Sequence, residues 1–89
     1  MILSENLSSA SNIHKNYFTK KLNDNQNTDI ILKCVGNVCS TGIALILWLN
    51  KQCILDNRSL TVLLNKDMFD LFKLLKLDLQ LKIKLQSGS

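Results

Sequence analysis

The spacing of apolar and polar residues changes character repeatedly along this chain. Residues 2–7 (ILSENL) read as a short strand. Ser8 and Ser9 then offer a helix N-cap, because their hydroxyls can accept from the free N–H groups of a first turn. Ala10, Ile13, Tyr17, Phe18 and Leu22 recur on one helical face, with Lys20 and Lys21 near the negative end of that helix. The polar run 23–28 (NDNQNT) is rich in turn formers and predicts a loop.

Residues 29–35 (DIILKCV) are mostly apolar, as in a central strand covered on both faces. Gly36-Asn37 breaks that strand, and residues 38–42 lead as a short loop into a helix over residues 43–55. The first two turns of this helix are apolar nearly all round, so its start is expected to be deeply buried. After a turn at 56–59, residues 60–64 (LTVLL) predict another strand. Asn65 is placed to cap a helix over residues 66–76. Leu79, Leu81, Ile83 and Leu85 alternate with Gln80, Lys82 and Lys84, the pattern of a half-buried edge strand whose lysines discourage pairing with another chain.

The order β-α-β-α-β-α-β predicts an α/β fold, with a mostly parallel or mixed sheet of about four strands and three helices joined by right-handed crossovers. With 89 residues this is one small domain over 1–86, and residues 87–89 (SGS) are expected to be a flexible tail. Such a domain buries about 60% of the surface its unfolded chain exposes, so docking onto a partner would help hold it together.

Charge changes the picture little. The net charge is +4, but the basic residues are scattered lysines and a single arginine, Arg58. Phosphate and base recognition favour arginine and stacked aromatics, so the balance reads as a solvated lysine surface and not as a nucleic-acid footprint. The three cysteines, Cys34, Cys39 and Cys53, form no CxxC pair, and the single histidine, His14, is far off in sequence. They read as reduced thiols, with no zinc site and no disulfide framework. No cofactor is expected. The longest apolar run, residues 43–49, is far short of the ~20 residues a bilayer requires, and no export signal is evident. A cytoplasmic chain without direct membrane insertion is expected.

The segment 32–77 resembles the STAS domain, the fold of bacterial anti-sigma factor antagonists. Leu32, Val35 and Val38 fall on the three apolar positions that precede the family's Asp, Ser/Thr, small residue, Gly and Leu. Here those positions hold Cys39, Ser40, Thr41, Gly42 and Ile43, and residues 44–49 (ALILWL) match the helix that follows. Asn65 and residues 68–77 (MFDLFKLLKL) are similar to the family's later helix. Ala44, where sigma-regulating relatives more often carry a second glycine, makes the chain look most like the cytoplasmic, MlaB-like STAS subunits of the Mla phospholipid-transport ABC complex. Two departures stand out. Cys39 replaces the family's Asp, which puts a phosphorylation switch at Ser40 in doubt, and the family's usual first strand is missing ahead of Ile2.

The resemblance implies a non-catalytic, partner-binding protein. Its contact residues would be Cys39, Ser40, Thr41, Gly42, Ile43 and Trp48, on the loop and on the exposed side of the following helix. The partner would be an ABC-transporter ATPase and, through it, the permease. The alternative is an anti-sigma factor antagonist phosphorylated at Ser40 by a serine-kinase anti-sigma factor. Simpler roles stand beside these. Ser40 or Thr41 can be a helix N-cap, Trp48 can be core, and Gly42 can allow close backbone approach. No Ser-His-Asp arrangement can be assembled around His14.

Overall fold

Four strands and three helices alternate through residues 2–6, 12–24 and 28–86, the parts of the chain that the computed structural model describes. They are β1 (Ile2–Glu5), α1 (Asn12–Asp24), β2 (Asp29–Cys34), α2 (Ser40–Leu55), β3 (Ser59–Leu64), α3 (Lys66–Leu74) and β4 (Lys82–Leu85). A 3-10 turn, Leu77–Leu79, links α3 to β4. The expected α/β architecture is present, and every strand pairing is parallel, in the order β1-β2-β3-β4.

Parallel neighbours need a crossover, and right-handed crossovers between strands in chain order place every helix on the same face. Burial follows that rule. Along β2, Ile30, Leu32 and Cys34 are buried, and along β3 so are Leu60, Val62 and Leu64. The register sets Leu3, Leu32, Val62 and Ile83 side by side in one row on this face. Onto it pack Phe18 and Leu22 of α1, Leu45, Ile46, Leu49 and Cys53 of α2, and Met68 and Phe72 of α3, forming one continuous core. Each fully buried leucine or phenylalanine contributes about 1.5–3 kcal/mol of transfer free energy.

The alternate residues face away from the helices. One register row runs Ile2, Ile31, Thr61, Lys82, and the next runs Ser4, Lys33, Leu63, Lys84. Ile31 is only half-buried and Lys33 is exposed, so β2 is not covered on both faces as its apolar run led us to expect. Its neighbours in the sheet shield Ile31 from the sides, and no described element lies above it.

The ends of the elements refine several expectations. The proposed Ser8 and Ser9 cap and Ala10 lie outside the described residues. α1 continues through Asp24, past the start of the expected loop. Tyr17, assigned to its apolar face, is 39% exposed, with its ring edge-on to buried Phe18. Asn65 caps α3 as expected, its Oδ1 accepting from the Met68 N–H at 2.8 Å. The alternation at the C-terminal end holds over buried Leu81 and half-buried Ile83, but Leu85, at the end of the edge strand, is 50% exposed. Leu79 instead belongs to the 3-10 turn and is 79% exposed, because Lys76 turns the chain through a left-handed conformation (φ 60°) just before it.

Candidate partner-docking surface

The loop between β2 and α2 is pinned at both ends. Gly36 adopts φ 76°, a conformation that glycine reaches without steric cost. Its carbonyl accepts from Asn65 Nδ2 at 3.3 Å, which ties the loop to the start of α3. Val38 is buried in the core. The chain then enters α2 three residues earlier than the sequence suggested, at Ser40 and not at Ile43.

The residue that caps α2 is Cys39. Its backbone is extended, its carbonyl accepts from the Ile43 N–H at 2.9 Å, and its Sγ accepts from the Gly42 N–H at 3.3 Å. Ser40 and Thr41, the expected caps, are therefore the first two helical residues. Capping does not occupy their hydroxyls, and both side chains are exposed. Gly42 is buried and Ile43 half-buried against the core, so of the loop residues singled out above, Ser40 and Thr41 present the most surface.

The early turns of α2 are less buried than their composition implied. Leu45, Ile46 and Leu49 point into the core, but Ala44 is exposed and Leu47 and Trp48 are half-buried. Trp48 packs its inner side against the core, and the Lys15 ammonium lies 5.6 Å from its ring centre, a cation–π contact. Thr41, Ala44, Trp48, Lys51 and Leu55 follow one another at helical three- and four-residue steps along the outer face. Ile54 and Leu55 end this stripe, 62% and 67% exposed. An open groove of about 720 Å³ runs beside it, between Trp48, Leu55 and Gln80. Asn50 holds that side in place by donating to the Gln80 carbonyl at 3.1 Å. Sequence reasoning pointed to Trp48 and to the helix's exposed side. It did not single out Leu47, Ile54 or Leu55, although an apolar pattern running all round a helix is the signal for them.

Compared with models of known protein families, with curated proteins and with solved structures, the chain matches none.

The two buried thiols, Cys34 and Cys53, are poorly suited to nucleophilic work. Burial pushes the Cys34 thiol up from its usual 9.0 to about 12. Burial also raises Cys53, partly offset by the nearby Arg58 guanidinium and reinforced by Asp56. A thiol held protonated is a weak nucleophile and a weak metal ligand. Among the described residues, no group of three or more His, Cys, Asp or Glu is placed to hold a metal ion. No described helix is long and apolar enough to cross a membrane. A smaller cleft of about 340 Å³ opens near the start of β3, with Arg58, Asp78 and Lys82 among its lining residues. The Arg58 Nη1 is buried there without a hydrogen-bond partner. Recognition by surface contact is what the α2 face can do chemically. It offers an aromatic anchor, aliphatic flanks and two hydroxyls.

Proposed function

We propose that this chain is a non-catalytic, STAS-like subunit that docks through α2 onto the ATPase of an ABC phospholipid transporter. The observation that carries the reading is the outward stripe of α2, which runs from Ser40 and Thr41 through Ala44 and Trp48 to Ile54 and Leu55, with Lys51 as the helix's single charge there and Lys15 of α1 beside the Trp48 ring. Stable interfaces concentrate aromatic and aliphatic side chains at a centre poor in charge, with polar groups at the rim. Trp48 would be the anchor, Leu47, Ile54 and Leu55 its apolar surround, and Ser40 and Thr41 the polar edge. The resemblance of residues 32–77 to STAS domains names the partner class.

In this reading the chain performs no chemistry and needs no cofactor. It stabilises the fold or the dimer of the ATPase, acts through it on the permease, and so supports the lipid asymmetry of the outer membrane. It sits at the cytoplasmic side of the inner membrane through its partner alone.

One observation favours a second reading, an anti-sigma factor antagonist switched at Ser40. The Ser40 side chain is exposed in the first turn of α2, and no acidic residue occupies that turn. A phosphate there would meet the positive end of the helix dipole.

Pull-down of the tagged protein from its native host separates the two, repeated with Ser40→Glu and Thr41→Glu. The transporter reading expects an ABC ATPase and its permease, lost in both variants. Recovery of a serine-kinase anti-sigma factor in their place would overturn it.

A further inference from the structure

The face of the sheet opposite the helices has its own composition. All-parallel sheets occur almost only with both faces covered, because their strands carry apolar residues on both sides. Here no described element covers the second face. Ile31 and Leu63 form its half-buried floor. In the register row of Leu63, Lys33 stands on one side and Lys84 on the other, and Lys82 ends the row of Ile31. Lys82 also donates to Ser59 Oγ at 2.7 Å, which holds its stem across the sheet. Three strand lysines thus share this face with one strand carboxylate, Asp29, while Asp78 of the 3-10 turn lies at the Lys82 edge.

We propose that this face receives an acidic amphipathic helix of a partner protein. The apolar stripe of that helix would lie on Ile31 and Leu63, and its flanking carboxylates would pair with Lys33, Lys82 and Lys84. The dimensions agree. Four strands at about 4.8 Å spacing make a face about 14 Å across, and a helix with its side chains is about 10–12 Å wide. Other occupants fit less well. A second copy would bring lysines against lysines, a repulsive pairing. Single-stranded nucleic acid needs aromatic platforms, and all five aromatic residues, Tyr17, Phe18, Trp48, Phe69 and Phe72, are on helices. A bilayer would meet the lysine heads, but of this face's apolar side chains Ile31 and Leu63 are half-buried and only Ile2, at the sheet edge, is strongly exposed. The surface is separate from the α2 stripe and does not depend on the transporter reading.

The test is a titration of the isotopically labelled full chain, followed by the amide resonances. The probe is an amphipathic peptide of about six turns, with leucines on one stripe and glutamates flanking it. A peptide with lysines in place of the glutamates is the control. The glutamate peptide is expected to shift the amides of Ile31, Lys33, Leu63 and Lys84, with affinity that falls as salt rises. The double variant Lys33→Glu, Lys84→Glu, shown to be folded by circular dichroism, is expected to bind it at least about tenfold more weakly and to gain affinity for the lysine peptide. Shifts confined to Ala44, Trp48 and Leu55, equal binding of both peptides, or binding only to phosphatidylglycerol vesicles would each overturn the proposal.

Discussion

The thiol of Cys39 accepts a hydrogen bond from the Gly42 N–H at 3.3 Å and so caps α2. Sulfur is a weak acceptor, and the preferred residues at this position are Asn, Asp, Ser and Thr. Cys39→Asp should therefore stabilise the protein by about 1 kcal/mol, and the carboxylate would also complement the helix dipole. For a domain of this size that corresponds to a rise in Tm of about 4–8 °C, readable by thermal circular dichroism. An unchanged or lowered Tm would show that the thiol caps as well as a carboxylate.

The outer end of the α2 stripe separates stability from binding. Ile54 and Leu55 are mostly exposed, so Ile54→Lys and Leu55→Lys should each change folding stability by no more than about 0.5 kcal/mol in denaturant titrations. The same variants should recover less ATPase in a pull-down. A large loss of stability would mean that these side chains belong to the core after all.

Gln86 ties the C-terminal ends of β2 and β3 together. Its Nε2 donates to the Cys34 carbonyl at 2.6 Å and to the Leu63 carbonyl at 3.2 Å. Gln86→Ala removes both bonds and leaves two part-buried carbonyls short of a partner. The expected cost is about 1–2 kcal/mol, measured by urea unfolding, with the amides at the end of β2 exchanging faster.

Cys34 should make the protein sensitive to alkali. Its folded pKa, about 12, lies above the ordinary 9.0 of an exposed thiol. The unfolded chain therefore releases this proton first, and the stability it confers is complete below pH 9 and falls as pH rises toward 12. Between pH 8 and 10 the loss is on the order of 1 kcal/mol. Cys34→Val should lack that part of the slope, whatever constant offset the substitution adds. Parallel slopes for the two proteins in urea titrations across this range would contradict the assignment.

The order of elements was legible because each strand and helix carries its own period, and the Asn65 cap because a side-chain amide before an apolar run has few other uses. Three features were not legible, each for a physical reason. The start of α2 was hidden because cysteine is not among the usual caps and Ser40-Thr41-Gly42 is loop-like in composition. The open side of β2 was hidden because Ile30-Ile31-Leu32 reads as one apolar run, although Ile31 belongs to the uncovered face. Leu79 fits the alternation of β4 by spacing alone, since nothing in the sequence marks the left-handed turn at Lys76. The docking stripe was half legible. An all-round apolar helix signals burial, yet Ile54 and Leu55 are exposed and Leu47 and Trp48 only half-buried.

The most direct test of the account is a photo-crosslinking residue at position 44, in place of exposed Ala44, in the native host. The same residue in place of exposed Asp67, in the first turn of α3, serves as the control. The account predicts a crosslink from position 44 to an ABC-transporter ATPase and little or none from position 67. A crosslink from position 44 to a serine kinase, or an ATPase captured equally from both positions, would contradict it.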